Sequence, residues 1–193
     1  LAGGTTETVI PFLGSVDLGF FYYILAAVFI VGMVNAVNFT DGIDGLNTSV
    51  TLVVALVFSV IAILLNRVGL SLYAAAIVGA MIGFLFWNAN PAKVFMGDTG
   101  SLFLGGAVCA LAFGVDMPIL LILIGIIYIV EILSVVLQVT YFKISHGKRI
   151  FKMAPIHHHF EMCGWNENKI CFVFSGVTLF AGIIGVLLAV FGC

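Results

Sequence analysis

The sequence predicts an all-α, polytopic membrane protein in which residues 1–193 form one transmembrane domain with six membrane-spanning helices. Its composition excludes an ordinary soluble domain, because 63% of the residues are hydrophobic and only 8% are charged. The apolar residues form runs of roughly 20, the length that crosses about 30 Å of hydrocarbon. All four prolines fall between these runs, where they interrupt no helix.

The first three predicted helices cover residues 18–37, 46–65 and 70–87. The first follows a polar segment that contains Pro11 and Asp17. Asn66 and Arg67 are polar and end the second helix, and a tight turn leads into the third. These helices therefore cross the membrane in alternating directions.

The last three predicted helices cover residues 101–115, 119–144 and 170–191. A polar loop with Pro91 precedes the first of them, and Asp116 and Pro118 make a tight turn before the next. The run over residues 119–144 is long and leads into a charged loop. With an even number of crossings, both chain ends lie on the same side of the membrane.

Lysine and arginine are distributed unevenly between the two sides. The loops at about residues 38–46, 88–100 and 145–169 share one side of the predicted bundle. Six of the seven basic residues lie in or beside these loops, and only Arg67 lies on the other side. Because short cytoplasmic loops collect lysine and arginine, we expect these three loops to face the cytoplasm.

The loop after the first helix carries three closely spaced polar side chains. Asn38, Asp41 and Asp44 lie in the sequence NFTDGIDG, in which a glycine follows each aspartate. A kinked backbone there would aim both carboxylates at one point, where hard oxygen ligands suit Mg2+ or the hydroxyl and amide groups of a substrate. Asp-Gly pairs also form turns that cap a following helix, and the residues alone leave both interpretations open.

The loop after the third helix begins at Asn88 and places Asp98 directly before a helix. Its carboxylate, the nearby hydroxyls of Thr99 and Ser101 and the positive helix N-terminus suit a phosphate or a metal-bound phosphate. A capping aspartate is the alternative. Phe95 has two interpretations as well, since it would either stack on a flat ring or anchor the helix at the membrane interface.

A polar stripe runs along the fifth predicted helix. Glu131, Ser134 and Gln138 are spaced three and four residues apart and share one face. A glutamate at membrane depth is costly unless it faces the protein interior, so this face is expected to point inward. Both a bond between helices and a substrate contact are consistent with this stripe. The basic residues of the following loop fit the positive-inside bias and also a diphosphate.

Three consecutive histidines, His157, His158 and His159, follow a proline in a loop or a short separate helix. Adjacent residues do not easily direct three rings at one ion, and zinc ligands are usually separated by two or more residues. Imidazoles that contact phosphate or move a proton near neutral pH are the interpretation we favour over a zinc site.

Three separated motifs, NAVNFTDGIDGLN, FMGDTGSLFLGG and KMAPIHHHFEMCGW, occur in this order on the same predicted membrane face. Together they resemble the family of phospho-N-acetylmuramoyl-pentapeptide transferases, within the superfamily of polyprenyl-phosphate N-acetylhexosamine-1-phosphate transferases. Versions of the aspartate motifs are shared across the superfamily. The contiguous block APIHHHFE is what resembles the muramoyl-pentapeptide branch.

The resemblance implies a Mg2+-dependent bacterial enzyme of about ten helices, of which this chain is the C-terminal six. Such enzymes transfer phospho-MurNAc-pentapeptide from UDP-MurNAc-pentapeptide to undecaprenyl phosphate, which gives lipid I and UMP for peptidoglycan synthesis. The implied setting is the cytoplasmic face of the plasma membrane, with the lipid bilayer, a homodimer and nucleoside-type inhibitors as partners and no nucleic acid. A paired-aspartate motif of the family is absent from this sequence.

The resemblance also implies roles for individual residues. Asp98 matches the magnesium ligand, and it matches the family's catalytic set together with Asp41, Asp44 and His157. Phe95 resembles the residue that stacks on uracil. The implied substrate-binding residues are Asn38, Asp41, Asp44, Asn88, Phe95, Gln138, His157, His158 and His159.

Two other functions are compatible with parts of the pattern. A sister transferase that uses UDP-GlcNAc would share the aspartate motifs. A transporter would use Glu131 and the acidic loops to bind a translocated ion, but the sequence shows none of the inverted repeats that such proteins often contain.

Overall fold

The computed structural model describes residues 6–192 and confirms the all-α membrane bundle. Within these residues six helices are long and apolar enough to cross a membrane: α1 (Phe20–Phe39), α2 (Leu46–Leu64), α3 (Val68–Asn88), α4 (Gly97–Gly114), α6 (Ile126–Ile144) and α8 (Glu167–Phe191). The remaining elements are α5 (Leu120–Ile124), α7 (Ile156–Glu161) and the strands β1 (Glu7–Ile10) and β2 (Gly14–Asp17). Most predicted helix ends agree to within about one helical turn.

The prediction of one continuous helix over residues 119–144 is wrong, because Gly125 separates α5 from α6. A side chain at this position would place its Cβ 2.7 Å from the carbonyl oxygen of Leu121 and 3.0 Å from the ring of Tyr128. The backbone therefore folds too closely on itself there for any residue except glycine. The break allows α5 to pack against α8 while α6 packs against α1 and α7.

Two helices begin earlier than the hydrophobic runs indicate. Helix α4 begins at Gly97 rather than at Ser101, so Asp98 lies in its first turn and not before it. Helix α8 begins at Glu167, after Asn166 accepts a hydrogen bond from the N–H of Lys169 (2.8 Å). Polar residues fill first helical turns because the N–H groups there have no partner within the helix.

The polar segment before α1 forms a β-hairpin that the sequence analysis did not predict. Glu7 pairs with Asp17 and Ile10 with Gly14 in the antiparallel register. The N–H of Val9 donates to the carbonyl oxygen of Asp116 (2.9 Å), which attaches the hairpin to the turn after α4. The hairpin thus covers the end of the bundle opposite the acidic loops and satisfies backbone groups there.

Helix α2 lies at the centre and is the most buried of the six long helices in the described residues. It packs against α3 and α8. The hydroxyl of Thr51 on α2 is hydrogen-bonded to the hydroxyl of Tyr128 on α6 (2.8 Å). Gly182 of α8 allows close contact, because a Cβ there would lie 2.4 Å from a methyl group of Val57. Small residues at helix contacts are the usual means of close packing in membranes.

Helices α1 and α4 touch through Gly105, where a Cβ would lie only 2.6 Å from the Cα of Val34. Since the neighbouring atom is backbone, neither helix can yield by a side-chain rotation. Asn38 lies at the end of α1 and Asp98 at the start of α4, so this contact sets the distance between two polar segments.

Replacing Gly105 by alanine is therefore expected to separate α1 from α4 and to lower the free energy of unfolding by about 1–3 kcal/mol, as overpacking does in other cores. Thermal unfolding of the purified protein in detergent measures the effect. Gly106→Ala is the matched control, because a Cβ at that position meets nothing within 4 Å. Equal melting temperatures for the two variants would contradict the close contact.

Candidate active site

The acidic loops and the histidine helix α7 meet at one end of the bundle, called the polar end below. It comprises residues 40–45 between α1 and α2 (the first acidic loop), residues 89–96 between α3 and α4 (the second acidic loop, which leads to Asp98), and residues 145–166 between α6 and α8. Every site residue predicted from the sequence lies at or near this end. The contacts below separate residues that face an open surface from residues that hold the loops in place.

Asp98 and Asn38 form the contact that joins α1 to α4 at the polar end. The side-chain amide of Asn38 donates to Asp98 Oδ1 (3.1 Å) and lies 2.8 Å from the hydroxyl oxygen of Ser101. Ser101 Oγ in turn donates to the carbonyl oxygen of Gly97 (3.1 Å). The hydrogen bond from Asn38 orients the Asp98 carboxylate. Asp98 is itself exposed, so this carboxylate remains accessible.

Asp41 lies beside this contact and is partly buried. Burial raises the pKa of its carboxyl above the ordinary value; the hydrogen bond from the N–H of Gly97 opposes this rise, and the negative charge of Asp98 adds to it. Two carboxylates thus lie near the N-terminus of α4, one in the loop after α1 and one in the first turn of α4 itself. A cation between them would offset their repulsion.

Asp44 has a different environment from Asp41, contrary to the expectation that both carboxylates aim at one point. Asp44 Oδ2 accepts hydrogen bonds from the backbone N–H of Ala92 (2.8 Å) and from the side-chain amide of Asn90 (3.2 Å). Its own backbone N–H donates to Glu167 Oε2 (2.9 Å). Asp44 therefore fastens the loop after α3 and the start of α8 to the first acidic loop.

Asn88 and Phe95 also differ in exposure. Asn88 is 3% exposed, and its amide accepts a hydrogen bond from Thr48 Oγ1 (2.6 Å) and donates one to the carbonyl oxygen of Val94 (3.0 Å). In this conformation it shapes the loop that presents Phe95. The Phe95 ring is 73% exposed, as a stacking platform for a flat ligand would be.

Gln138 occupies the polar stripe of α6, whose other members Glu131 and Ser134 are buried as the sequence predicts. Its side-chain oxygen accepts from the N–H groups of Ile150 (3.1 Å) and Phe151 (3.0 Å). Gln138 therefore fixes the segment that leads to the histidines. Beside it lies a groove of about 400 Å³ whose lining includes the basic residues Lys143 and Arg149.

The three histidines of α7 have three different partners. His157 Nδ1 lies 3.0 Å from Glu131 Oε2, and both side chains are fully buried. His158 Nδ1 pairs with Glu161 in the next turn, and His159 Nδ1 accepts a hydrogen bond from the backbone N–H of Lys152 (3.1 Å). The rings of His157 and His158 lie against each other, with centroids 4.1 Å apart. His157 ties α7 to α6 and His159 ties it to the preceding loop, whereas the pair of His158 and Glu161 lies within α7.

Three residues of this network were missed by the sequence analysis as site residues: Asn90, Ser101 and Glu167. Ser101 was noted only as a nearby hydroxyl, and Glu167 follows a capping asparagine, a position where an acid is common for the helix alone. Their roles depend on contacts with Asp44 and Asn38 that are distant in sequence. A hydrophobic pattern carries no signal for such contacts.

The donors at the polar end fit a magnesium ion that is bound together with a substrate. Asp98 and Asp41 offer carboxylate oxygens, the ligands that Mg2+ prefers, and in phosphoryl-transfer sites one or two carboxylates suffice when substrate phosphates complete the coordination. Within residues 6–192, no three His, Cys, Asp or Glu side chains form a cluster that could hold a metal without such a substrate.

Known proteins match this chain over both acidic loops and the histidine segment. The phospho-N-acetylmuramoyl-pentapeptide-transferase of Clostridium botulinum (strain Eklund 17B / Type B) is 52% identical over 181 residues, which are 93% of this chain and 56% of that protein. The protein of the same name from Clostridium perfringens (strain SM101 / Type A) is 55% identical, with 90% of this chain and 54% of that protein covered.

A third relative of this name, from Listeria monocytogenes serotype 4b (strain CLIP80459), is 49% identical, with 97% of this chain and 59% of that protein covered. The chain thus spans about half the length of the curated relatives that it matches. The sequence model described as glycosyl transferase family 4 matches residues 1–116. Because this match covers more than half of the chain and includes Asp41, Asp44 and Asp98, the chain belongs to glycosyl transferase family 4.

Proposed function

We propose that this chain forms the six-helix portion of a bacterial enzyme that transfers phospho-MurNAc-pentapeptide from UDP-MurNAc-pentapeptide to undecaprenyl phosphate. The products are lipid I and UMP, and the process served is peptidoglycan synthesis. The names of the relatives support the reaction and the muramoyl substrate. The observation that carries the proposal is the convergence of Asp41 and Asp98 at the N-terminus of α4, with Asn38 holding Asp98.

The N-terminus of α4 is suited to the diphosphate of the nucleotide sugar. Its first N–H groups have no partner within the helix, and the positive end of the helix dipole favours an anion. Asp98 in the same turn would hold Mg2+, which supplies positive charge against the diphosphate and the departing UMP. Asn38 orients the Asp98 carboxylate through its amide, and Ser101 holds that amide in place.

The remaining predicted residues would bind the donor around this centre. Phe95 offers its exposed ring to uracil, and Asp41 lies next to Asp98 on the side of the first acidic loop. Asp44 would act through the loop it fastens, since Oδ2 is already bonded to Ala92 and Asn90. His158 and His159 follow Met153 and Ala154 in the chain, and these two residues line the groove that also contains Lys143 and Arg149.

We further propose direct transfer in a single step. An oxygen of undecaprenyl phosphate attacks the β-phosphorus of the UDP-sugar and forms a new phosphorus–oxygen bond. The bond from that phosphorus to the bridging oxygen breaks, and its electron pair leaves with UMP. Catalysis of this kind depends mostly on positioning and charge neutralisation, which is what the carboxylates and the α4 N-terminus would provide.

The proposed enzyme works as a homodimer in the bacterial plasma membrane, with the polar end on the cytoplasmic side. This orientation is supported by the basic residues, of which only Arg67 lies at the hairpin end. It places the donor in the cytoplasm, where nucleotide sugars are made, and lets the acceptor lipid approach laterally from the bilayer.

Asp98→Asn in the intact protein tests the proposed metal ligand. An amide removes the negative charge that would hold Mg2+, and loss of metal assistance worth several kcal/mol should lower kcat by at least about a hundredfold. Release of UMP, measured over a range of Mg2+ concentrations, is the assay. Asp116→Asn is the control, because Asp116 is exposed at the hairpin end and pairs with Arg67. Near-wild-type activity of Asp98→Asn would remove Asp98 from the metal site.

Substrate choice tests the muramoyl assignment separately from the metal. We expect the intact protein to release UMP from UDP-MurNAc-pentapeptide and to leave UDP-GlcNAc largely unused. Both donors are assayed with the same preparation and the same undecaprenyl phosphate. Turnover of UDP-GlcNAc alone would assign the chain to a sister activity of the superfamily.

A further inference from the structure

Glu131 is a buried acid that the proposed reaction does not use. It lies on α6 within an apolar bundle, and its side chain is 0% exposed. Placing a carboxyl group at membrane depth is costly, so such residues normally have a defined role and a defined partner. The partner here is His157 of α7, which is also 0% exposed and lies 3.0 Å away through Nδ1.

The contacts of His157 define which ring nitrogen carries the proton. Nδ1 faces Glu131 Oε2, an acceptor, so a proton on Nδ1 is satisfied. Nε2 is buried and, among the described residues, has no hydrogen-bond partner. A proton on Nε2 would therefore be buried without an acceptor, which costs free energy. The geometry thus favours the tautomer with its proton on Nδ1 and a lone pair on Nε2.

Nε2 of His157 is pressed against the first acidic loop. A Cβ built on Gly42 would lie 2.1 Å from Nε2 and 2.6 Å from Cε1, so the ring occupies the space of a side chain at that position. Gly42 follows Asp41 directly and precedes Asp44 by two residues. The contact therefore joins the buried acid of α6, through the histidine of α7, to the turn that carries both carboxylates.

We propose that Glu131 is a positioning residue, which holds His157 in the Nδ1-protonated form with Nε2 against Gly42 and thereby fixes the Asp41–Asp44 turn. The functional consequence rests on the proposed function, since it assumes that this turn binds the nucleotide sugar. The structural part does not depend on it. Glu131 acts through His157 and touches no substrate.

This role differs from simple stabilisation of the bundle in what each substitution should change. Glu131→Gln retains an oxygen that accepts from Nδ1–H, so it should preserve the form of the ring. Glu131→Leu removes the acceptor and leaves the ring of His157 buried without its partner, so it should also lower the free energy of unfolding. Gly42→Ala should disrupt the same contact, because the added methyl group would displace the His157 ring from the first acidic loop.

The first measurement reads the ring directly and needs no substrate. In the intact protein labelled with ¹⁵N-histidine, the His157 signals are identified by their loss in His157→Gln. We expect a protonated Nδ1 and an unprotonated Nε2 in the wild type and in Glu131→Gln, and a shift toward the Nε2-protonated form in Glu131→Leu. An unchanged ring in Glu131→Leu would overturn the proposal.

The second measurement compares kcat/KM for the nucleotide sugar. A displacement of about 1 Å caused by a substitution away from the chemistry can cost about 100-fold, so we expect losses of about 10- to 100-fold for Glu131→Leu and for Gly42→Ala, with most activity retained in Glu131→Gln. Ser134→Ala is the control and should stay near wild type, because the buried Ser134 hydroxyl donates, among the residues that the structure describes, to the backbone carbonyl oxygen of Glu131 alone.

The double variant Glu131→Leu/Gly42→Ala separates positioning from two independent structural defects. Because both substitutions act on the His157 contact, the double variant should lose no more activity than the worse single variant. Multiplied losses would overturn the proposal. A wild-type protein without transferase activity would count against the proposed function alone, because the ring spectra still test the contact.

Discussion

Polar groups enclosed by an apolar bundle must find their partners inside the protein, and this constraint organises the polar end. Asp44 connects its own loop to two other segments: to the loop after α3 through Asn90 and Ala92, and to the start of α8 through Glu167. Asn88 connects α2 to the loop after α3, because its side-chain oxygen accepts from Thr48 and its side-chain nitrogen donates to the carbonyl oxygen of Val94. Hydrogen bonds therefore hold the loops of this site in place, because leaving buried polar groups unpaired would cost free energy.

The constraint divides the acidic residues into two groups. Asp44 uses Oδ2 and its backbone N–H in hydrogen bonds within the protein, and Glu131 is paired with His157 in the interior. Asp98 and Asp41 instead meet at the N-terminus of α4, where Asp98 is exposed. Residues of one type in neighbouring motifs thus serve different purposes. The proposed cation and phosphate would bind at Asp98, which is exposed, and at Asp41, which is partly buried, while Asp44 and Glu131 hold the surrounding segments.

Close backbone contacts then set the geometry between the polar segments. Gly105 lets α1 approach α4, and Gly42 lets the His157 ring approach the first acidic loop. In both contacts the neighbouring group occupies the space where a side chain would be. Any residue larger than glycine would therefore increase the distance between the two segments. In membranes, where lipid competes equally for apolar surface, such steric fit replaces much of the hydrophobic driving force between helices.

The sequence by itself determined the bundle, its six spanning helices and the shared face of the three motifs, because a bilayer requires long apolar runs and excludes charge from them. It also pointed to Asp98 and the histidines as the residues with chemistry. Only the tertiary structure decided that Gly125 breaks the fifth helix, that a hairpin covers the opposite end, and that Asp41 and Asp44 point to different partners. These features depend on contacts between residues far apart in the chain, such as Glu131 with His157. Local hydrophobicity and residue spacing do not predict such contacts, because they reflect only neighbours along the chain.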